Sequence, residues 1–379
     1  MPLFPRNPPR GRVPILNSAS PWASSREDLE ALWACPYTEA ITTRTTTLRG
    51  FPDQPEVHQV AFFGAGAHSS INSYGYSPHP LSRYLSWLRE ILQQQREPPR
   101  RDKRVIVSVT GSLDETREML EMLERFAATE VPPERRPIAV EFNLSCPNIP
   151  GYPPPAYSYE SMLAYLQLLA GRASPNLLLG IKLPPFTYHD QFEAVIEALR
   201  VVAKAPSPSA PHPISFLTST NTLGQGLVFA AEETPVPRDL ASSGRPRPPA
   251  QDQLTALPSA KSDSGSLPGV EGSVEGGWGG LAGGTLHPLA VGNVARLAQV
   301  LRRPDPRPPL EGDSETEHGE EEVVRKLAGI AIVGVGGVSD AEGVERFRRA
   351  GADAVACATA FGREGLAVFD KMSRPPSRL

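Results

Sequence analysis

The fold class predicted for this sequence is α/β, a single (β/α)8 TIM barrel, and three observations predict it. Apolar, β-branched runs of strand length alternate with amphipathic helical stretches along most of the chain. Those runs are apolar at consecutive positions, which marks strands buried on both faces, as in a parallel sheet covered by helices. The number of strand–helix units, with a length of 379 residues, suits one closed barrel better than an open doubly wound sheet. No G-x-G-x-x-G opens a helix after the first strand, so a dinucleotide-binding domain is not expected.

Taken in order, Val13–Asn17 reads as the first strand. The sequence from Ser24 to Glu27 reads as a capping box, opening a helix that carries Leu29, Leu32 and Trp33. Ala40–Thr43 is strand-like, and Val105–Val109 is a β-branched run. A second capping box, Ser112–Glu115, opens a helix with Met119, Leu120, Met122, Leu123 and Phe126 on one face. Strand Ala139–Asn143, helix Tyr159–Ala170, strand Leu177–Leu183, helix Asp190–Ala203 and strand Ile214–Thr218 follow. After an interruption come helix Ala290–Leu301, strand Ile330–Val335, a capping box at Ser339–Glu342 with helix Asp340–Ala350, strand Ala354–Ala358 and a helical piece over Leu366–Met372.

Residues 1–12 are basic and Pro-rich without the apolar core of a secretory signal, and are expected to form a disordered arm. Their composition is also compatible with a mitochondrial leader. Residues 13–379 are expected to form one domain with two interruptions. Residues 231–274 are rich in Pro, Ser, Gly and Ala, too poor in large apolar side chains to offset their ordering entropy, and read as a disordered low-complexity insertion. Residues 304–322 read as an acidic, Pro-rich loop. Both are expected as loop extensions; a regulatory or partner-binding segment is the other reading.

Composition narrows the function classes. A net charge of −4 leaves no electrostatic footprint for nucleic acid or an anionic membrane. The three cysteines, Cys35, Cys146 and Cys357, are far apart and form no CxxC, so neither a metal site nor a disulfide framework is expected, and a reducing, cytoplasmic setting fits. No apolar stretch reaches the ~18–20 residues of a membrane helix.

Barrel chemistry sits where strands end and loops begin at the C-terminal face. The predicted strand ends present Asn17, Ser18 and Ala19, then Thr43, Arg44 and Thr45, then Asn143 with Cys146 and Asn148, and then Lys182. Asn221 with Thr222, Gly336 with Gly337, and Ala358 with Thr359 complete the ring. The ring holds amides, hydroxyls, two cations and a thiol, and no carboxylate pair, which disfavours glycoside hydrolysis. VEFNLSCPNIPG over Val140–Gly151 delivers a thiol and several amides beyond a strand. Cys146 reads as a general base beside amides that clamp a planar polar ring, or as a small buried cysteine in a rigid turn.

Gly336 and Gly337, the helix start at Ser339, and Ala358 with Thr359 read as a phosphate cradle, or as turn glycines only. Gly276, Gly277, Gly279, Gly280, Gly283 and Gly284 around Trp278 form another close-approach loop. Lys182, inside an apolar strand, needs negative charge, which a cofactor that becomes anionic on reduction supplies. A buried ion pair is the other reading, with no obvious acidic partner at the strand ends.

NLSCPNIPG at Asn143–Gly151, IKLPPF at Ile181–Phe186, STNTLGQGL at Ser219–Leu227, GWGGLAGGTLHPLA at Gly277–Ala290, GVGGVSDAEG at Gly334–Gly343 and ATAFGREG at Ala358–Gly365 resemble class 1A dihydroorotate dehydrogenase. The resemblance runs from about Val13 to Met372 apart from the two interruptions, and marks a divergent, fungal-like member. It implies an FMN-bound homodimer in the cytoplasm that oxidises (S)-dihydroorotate to orotate in pyrimidine biosynthesis, with fumarate as acceptor. On that resemblance Cys146 takes the C5 proton while hydride leaves C6 for flavin N5, and Lys182 lies beside the flavin N1/C2 carbonyl.

The resemblance also implies that Arg44, Asn72, Gly75, Asn143, Asn148, Asn221 and Thr222 contact substrate. Ala19, Arg44, Thr45, Asn143, Lys182, Thr220, Gly283, Gly336, Gly337, Ala358 and Thr359 would contact the cofactor. Departures fall in the site. Arg44 replaces a lysine, Ala19 replaces a serine, and Tyr74 and Tyr76 stand where the family has MGLPN after Asn72. They motivate a second reading, an FMN oxidoreductase acting on another cyclic amide or carboxylate. A third is a flavin-binding protein without turnover.

Overall fold

The strands, in chain order, are β1 (Ile15–Asn17), β2 (Ala40–Thr42), β3 (Val60–Phe63), β4 (Ser69–Asn72), β5 (Arg104–Val109), β6 (Ile138–Asn143), β7 (Leu177–Leu183), β8 (Ile214–Ser219), β9 (Leu223–Leu227), β10 (Trp278–Gly283), β11 (Ala331–Val335) and β12 (Ala354–Cys357). The helices are α1 (Arg26–Ala34), α2 (Leu81–Gln93), α3 (Leu113–Thr129), α4 (Tyr159–Ala170), α5 (His189–Ala203), α6 (His287–Arg302), α7 (Ser314–Ala328), α8 (Ala341–Ala350), α9 (Thr359–Glu364) and α10 (Ala367–Ser373). They come from a computed structural model that describes residues 3–376 except 56, 94–101, 150, 152, 173, 205–209, 229–277 and 303–313. The low-complexity segment 231–274 therefore lies outside the described residues.

Strands β1, β2, β5, β6, β7, β8, β11 and β12 close a parallel barrel in that order. This is the (β/α)8 TIM barrel the sequence predicts, and the eight expected strand positions are its staves. Period-2 alternation sorts each stave into two faces. Ile41, Val105, Val107, Val140, Phe142, Leu179, Ile181 and Leu217 join the core under the helices, while Leu16, Ala40, Ile106, Ala139, Phe216, Ala331, Val333, Ala354 and Ala356 fill the interior. One position shows how tightly the interior is fitted. A Cβ on Gly180 would come within 2.4 Å of the Phe216 ring, so the glycine of β7 makes the space that Phe216 fills.

The segment Leu3–Arg12 departs from the expected disorder. Leu3 and Phe4 are buried in the same cluster as the interior barrel residues and stop its N-terminal end. Asp353, fully buried, anchors the arm: its carboxylate accepts from Arg6 Nε (3.2 Å), Asn7 N–H (2.9 Å), Arg302 Nη2 (2.7 Å) and Ile332 N–H (2.9 Å). The Pro-rich composition hid this, because two apolar side chains and one arginine suffice to dock the arm.

Other differences have local causes. The box expected from Ser24 is set one residue later, with Ser25 as N-cap and Asp28 closing it; Asp28 also reaches the Ser24 N–H at 3.0 Å. Asp340, rather than Ser339, caps α8, accepting from Gly343 N–H at 2.7 Å. The expected loop 304–322 is helical from Ser314, because α7 gains Val323 and Leu327 as buried anchors and Lys326 near its C-terminal end. Lys326 Nζ donates to Ala203 O at 3.0 Å.

Helix α2 and an antiparallel sheet have no counterpart in the sequence reading. Helix α2 buries Leu81, Tyr84, Leu85, Leu88, Ile91 and Leu92 at helical spacing. Strands β3, β4, β10 and β9 form an antiparallel sheet in that order, and Gly280 of β10 faces Asn72 of β4. The glycine-rich stretch around Trp278 is thus a strand and not only a loop. A Cβ on Gly279 would lie 2.7 Å from Asn72 O, so glycine is needed for the backbones to approach. No helix among the described residues is long and apolar enough to cross a membrane.

Replacing Asp353 by alanine leaves two half-buried arginines and two backbone N–H donors without their acceptor. It is expected to destabilise the fold by about 3–5 kcal/mol. A guanidinium unfolding midpoint that does not move would contradict the anchoring role.

Candidate active site

The interior alternation also delivers the polar side chains. Above the apolar layer, β6 turns Glu141 and then Asn143 inward, β5 turns Ser108, and β7 turns Lys182. Asn143 and Lys182 are register partners across β6 and β7. All four side chains are buried. The upper wall of the resulting cavity, about 100 Å³, comes from the antiparallel sheet through Val60, Ser70, Asn72 and Ala282. A larger recess of about 700 Å³ lies at the opposite end, between the N-terminal arm and the C-terminal residues. Barrel chemistry belongs to the C-terminal end of the strands, where the smaller cavity lies.

Most predicted residues meet there. Ala19, Arg44, Thr45, Asn72, Gly75, Asn143, Cys146, Asn148, Lys182, Asn221, Thr222, Ala358 and Thr359 all line the cavity. Thr220, Gly283, Gly336 and Gly337 are not among the described lining residues. The glycines approach one another: a Cβ on Gly337 would lie 2.4 Å from Gly283 O, and His287 Nδ1 sits 2.7 Å from Gly336 O. All three have positive φ, so the turn itself already accounts for glycine there. The expected dipole contribution from the start of α8 is offset by the Asp340 carboxylate that caps it.

Hydrogen bonds fix the amides. Asn143 Nδ2 donates to Thr45 Oγ1 (3.0 Å), whose hydroxyl pairs with Ser108 Oγ (2.9 Å), and Ser108 Oγ donates to Glu141 Oε1 (2.9 Å). Asn143 Oδ1 accepts from Ser145 N–H (3.1 Å), Ser145 Oγ (2.9 Å) and Asn221 Nδ2 (3.4 Å). Asn148 Nδ2 reaches Asn72 Oδ1 (3.2 Å) and Tyr74 O (2.9 Å), tying the cysteine loop to the loop after β4. On the far side, Ser70 Oγ and Thr359 Oγ1 are 3.0 Å apart.

The charges around the thiol oppose its burial. Burial pushes the Cys146 thiol up, against the Asn148 backbone N–H, Lys182, the Tyr76 hydroxyl and Arg44, which all favour the thiolate. Desolvation is the larger effect, so the thiol lies above its ordinary range and not near neutrality. Burial also lowers Lys182, opposed first by Glu141 and then by Cys146. Its Nζ donates to Ser18 Oγ at 3.2 Å. Glu141 is the acidic partner the sequence reading missed, and the signal was available: an acidic residue two positions before Asn143 in an apolar strand must share its face.

Arg44 is buried, with Nη1 3.6 Å from Asp53 Oδ2 and 3.4 Å from Ser24 Oγ, and its guanidinium carbon lies 5.3 Å from the Tyr74 ring centre. Arg44 Nη2 and Tyr74 Oη are buried without a hydrogen-bond partner among the described residues. Burial raises the Tyr74 phenol to about 12.

Residues 15–244, more than half of the chain, match the family model described as dihydroorotate dehydrogenase. The chain belongs to the dihydroorotate dehydrogenase family. Members of this family are generally flavin-dependent. Among curated relatives, the dihydroorotate dehydrogenase (fumarate) of Trypanosoma cruzi is 27% identical over 89% of this chain and 86% of its own length. A putative dihydroorotate dehydrogenase A (fumarate) of Streptococcus equi subsp. equi is 25% identical over 95% of this chain and 87% of its own. The ligand-bound crystal structure of the enzyme from Eimeria tenella, in complex with ferulenol, superposes with a TM-score of 0.58 at 14% identity, covering 96% of this chain and 80% of that one. That likeness concerns the fold.

Because the thiolate is the reactive species and burial raises the thiol, Cys146 is expected to alkylate more slowly near pH 7 than an ordinary thiol of pKa ~8.5. Its rate with iodoacetamide should still be climbing at about pH 9. Peptide-resolved mass spectrometry checks this, and a plateau reached below about pH 8 would contradict it.

Proposed function

We propose that this dihydroorotate dehydrogenase family member oxidises (S)-dihydroorotate to orotate in pyrimidine biosynthesis, with FMN as its flavin and Cys146 as the general base. The observation that carries the reading is the convergence of Cys146, Lys182 and the amides of Asn72, Asn143, Asn148 and Asn221 on one cavity. The same site would take Gly75 and Thr222 as further substrate contacts. Ala19, Thr45, Thr220, Gly283, Gly336, Gly337, Ala358 and Thr359 are assigned to the flavin. Fumarate as acceptor, a homodimer and a cytoplasmic location belong to the same proposal.

The residues present fit a flavin. Buried polar atoms of the cavity-lining Ser20 and Arg44 have no hydrogen-bond partner among the described residues, and a polar ring system would supply them. Lys182 would hold the ring edge on which reduction places negative charge, and Arg44 would stand near its other polar edge. When bound, the flavin supplies the two-electron acceptor that receives hydride from substrate C6.

The chain's own residues do the rest. Four amides provide donors and acceptors for the ring carbonyls and N–H groups of a planar cyclic amide, and their mutual hydrogen bonds hold them in place before the ligand arrives. Cys146 Sγ takes the C5 proton as a thiolate. Its raised thiol makes that thiolate a stronger base but a scarcer one at neutral pH, so turnover should rise with pH through neutrality. Lys182 and Arg44 favour the thiolate.

One observation favours a second reading, a related FMN oxidoreductase with another cyclic amide or carboxylate as substrate. Arg44 Nη2 and Tyr74 Oη are unpaired donors at positions where this chain departs from the family pattern, and a guanidinium selects carboxylates by bidentate geometry.

The purified protein should show a flavin absorbance spectrum that bleaches when (S)-dihydroorotate is added without oxygen. Cys146→Ser should keep the spectrum and slow bleaching by roughly 10²–10⁴-fold. A yellow protein that dihydroorotate leaves oxidised would pass the reading to the second substrate class. A protein that neither copurifies with nor binds FMN would overturn both.

A further inference from the structure

His287 opens α6 and stands against the turn that follows β11. Its Nδ1 lies 2.7 Å from Gly336 O, and its Nε2 lies 2.9 Å from Arg346 Nε. A carbonyl oxygen only accepts and an arginine Nε–H only donates, so a single tautomer satisfies both contacts. The ring proton sits on Nδ1 and is donated to Gly336 O, while the bare Nε2 accepts from Arg346. A doubly protonated ring would set a second N–H against the Arg346 donor. Burial, and after it the Arg346 charge, work against that form, with the Gly336 carbonyl and Asp340 on the other side.

Packing holds the ring as well. Phe347 meets His287 edge-on at 5.3 Å and 83°. Phe347 is itself buried against Gly334, where a Cβ would come within 2.5 Å of its ring. The Arg346 guanidinium lies back over the first turn of α8: a Cβ on Gly343 would stand 3.5 Å from Arg346 Nη2.

These contacts fix a backbone direction. The Gly336–Gly337 peptide is trans, and a trans peptide points its C=O and N–H to opposite sides. With the Gly336 carbonyl held on His287, the Gly337 N–H is aimed away from that ring, and it makes no hydrogen bond among the described residues. The turn has no room to settle elsewhere. A Cβ on Gly336 would meet Ala290 Cβ at 2.4 Å, and one on Gly337 would meet Gly283 O at 2.4 Å. Gly283 follows Ala282, which lines the cavity together with Ser70 and Thr359, so the turn adjoins the end of the cavity where these hydroxyls pair.

We propose that His287 is a positioning residue for the flavin phosphate, holding the Gly336 carbonyl so that the Gly337 N–H is presented before the cofactor binds. The proposal rests on the assignment of Gly336 and Gly337 to the flavin. Arg346 has its part through the tautomer, since it leaves Nδ1 as the only site for the ring proton. A donor fixed in advance spares the ordering that binding would otherwise require.

The test uses the full-length protein freed of flavin, titrated with FMN and with riboflavin and followed by flavin fluorescence. The two ligands differ only in the phosphate, so the ratio of their dissociation constants isolates its contribution. His287→Leu and His287→Ala both remove the donor, one keeping the bulk, and either serves if the other folds poorly. In both, the preference for FMN over riboflavin should fall about three- to tenfold, the span of one hydrogen bond. His287→Asn, whose amide keeps a donor near the Nδ1 position, should stay within about twofold of wild type. An unchanged ratio in the folded donor-less variants would overturn the proposal. Equal weakening of both ligands, or the same loss of preference in His287→Asn, would also overturn it and reduce His287 to packing. A wild-type protein that binds FMN no better than riboflavin would remove the phosphate assignment of Gly336 and Gly337 and the proposal with it. Binding needs no turnover. A selective loss in a protein that dihydroorotate does not reduce would therefore sink the substrate reading and leave His287 in this role.

Discussion

A lysine ammonium inside a closed barrel is the constraint around which the upper half of this molecule is arranged. Lys182 is buried, and burial alone works against its charge. Three sources of negative charge can offset that: Glu141 on the adjacent strand, the Cys146 sulfur, and whatever occupies the cavity above. Glu141 is itself engaged by Ser108, which leads through Thr45 to Asn143. The cation, its counter-charge and the clamp amide are thus one connected set, and the cavity lies at its open end. A set of this kind is stable without a ligand yet biased towards one that brings electron density.

The barrel below makes that arrangement rigid. The strand alternation that points Lys182, Glu141 and Asn143 inward also points Leu178, Gly180, Ala139 and Phe216 inward one layer down. A one-residue slip of any of these strands would send the polar residues under the helices and the apolar ones into the cavity. Packing of Phe216 over Gly180 and closure of the lower end by Leu3 and Phe4 therefore serve the site indirectly, because they fix the register on which its geometry depends.

What was legible in the sequence follows the same division. The eight staves could be read because each is an apolar run buried on both faces, and a double-sided strand has a strong signature. Asn143, Cys146 and Lys182 could be read because they interrupt or terminate such runs. The antiparallel cover was not legible: LGQGL and WGGLAG carry almost no strand propensity, and pair because glycine lets two backbones meet. Helix α2 was legible, with apolar residues at helical spacing from Leu81 to Leu92, and was overlooked. The arm at residues 3–12 was misread because composition averages over a segment, whereas docking depends on Leu3, Phe4 and Arg6 individually. Least legible was the direction of the Cys146 shift. Donors are visible in a sequence, but the desolvation that outweighs them depends on how the chain packs around the sulfur.

The loop after β4 carries Tyr74, which is coupled to Arg44. Arg44 is held by Asp53 and Ser24 on one nitrogen and leaves the other unpaired, while Tyr74 lies under its guanidinium with an unpaired hydroxyl. A lysine has no planar fork to share between a carboxylate and a ligand, nor a flat face to rest on an aromatic ring. Arg44, Tyr74 and Asp53 thus form one connected group in this chain. Burial disfavours ionisation of Tyr74, so it stays a neutral donor beside a permanent cation. An anionic group entering between them would meet two directed donors and a fixed charge. A neutral group without an acceptor would leave the Arg44 Nη2 donor unsatisfied.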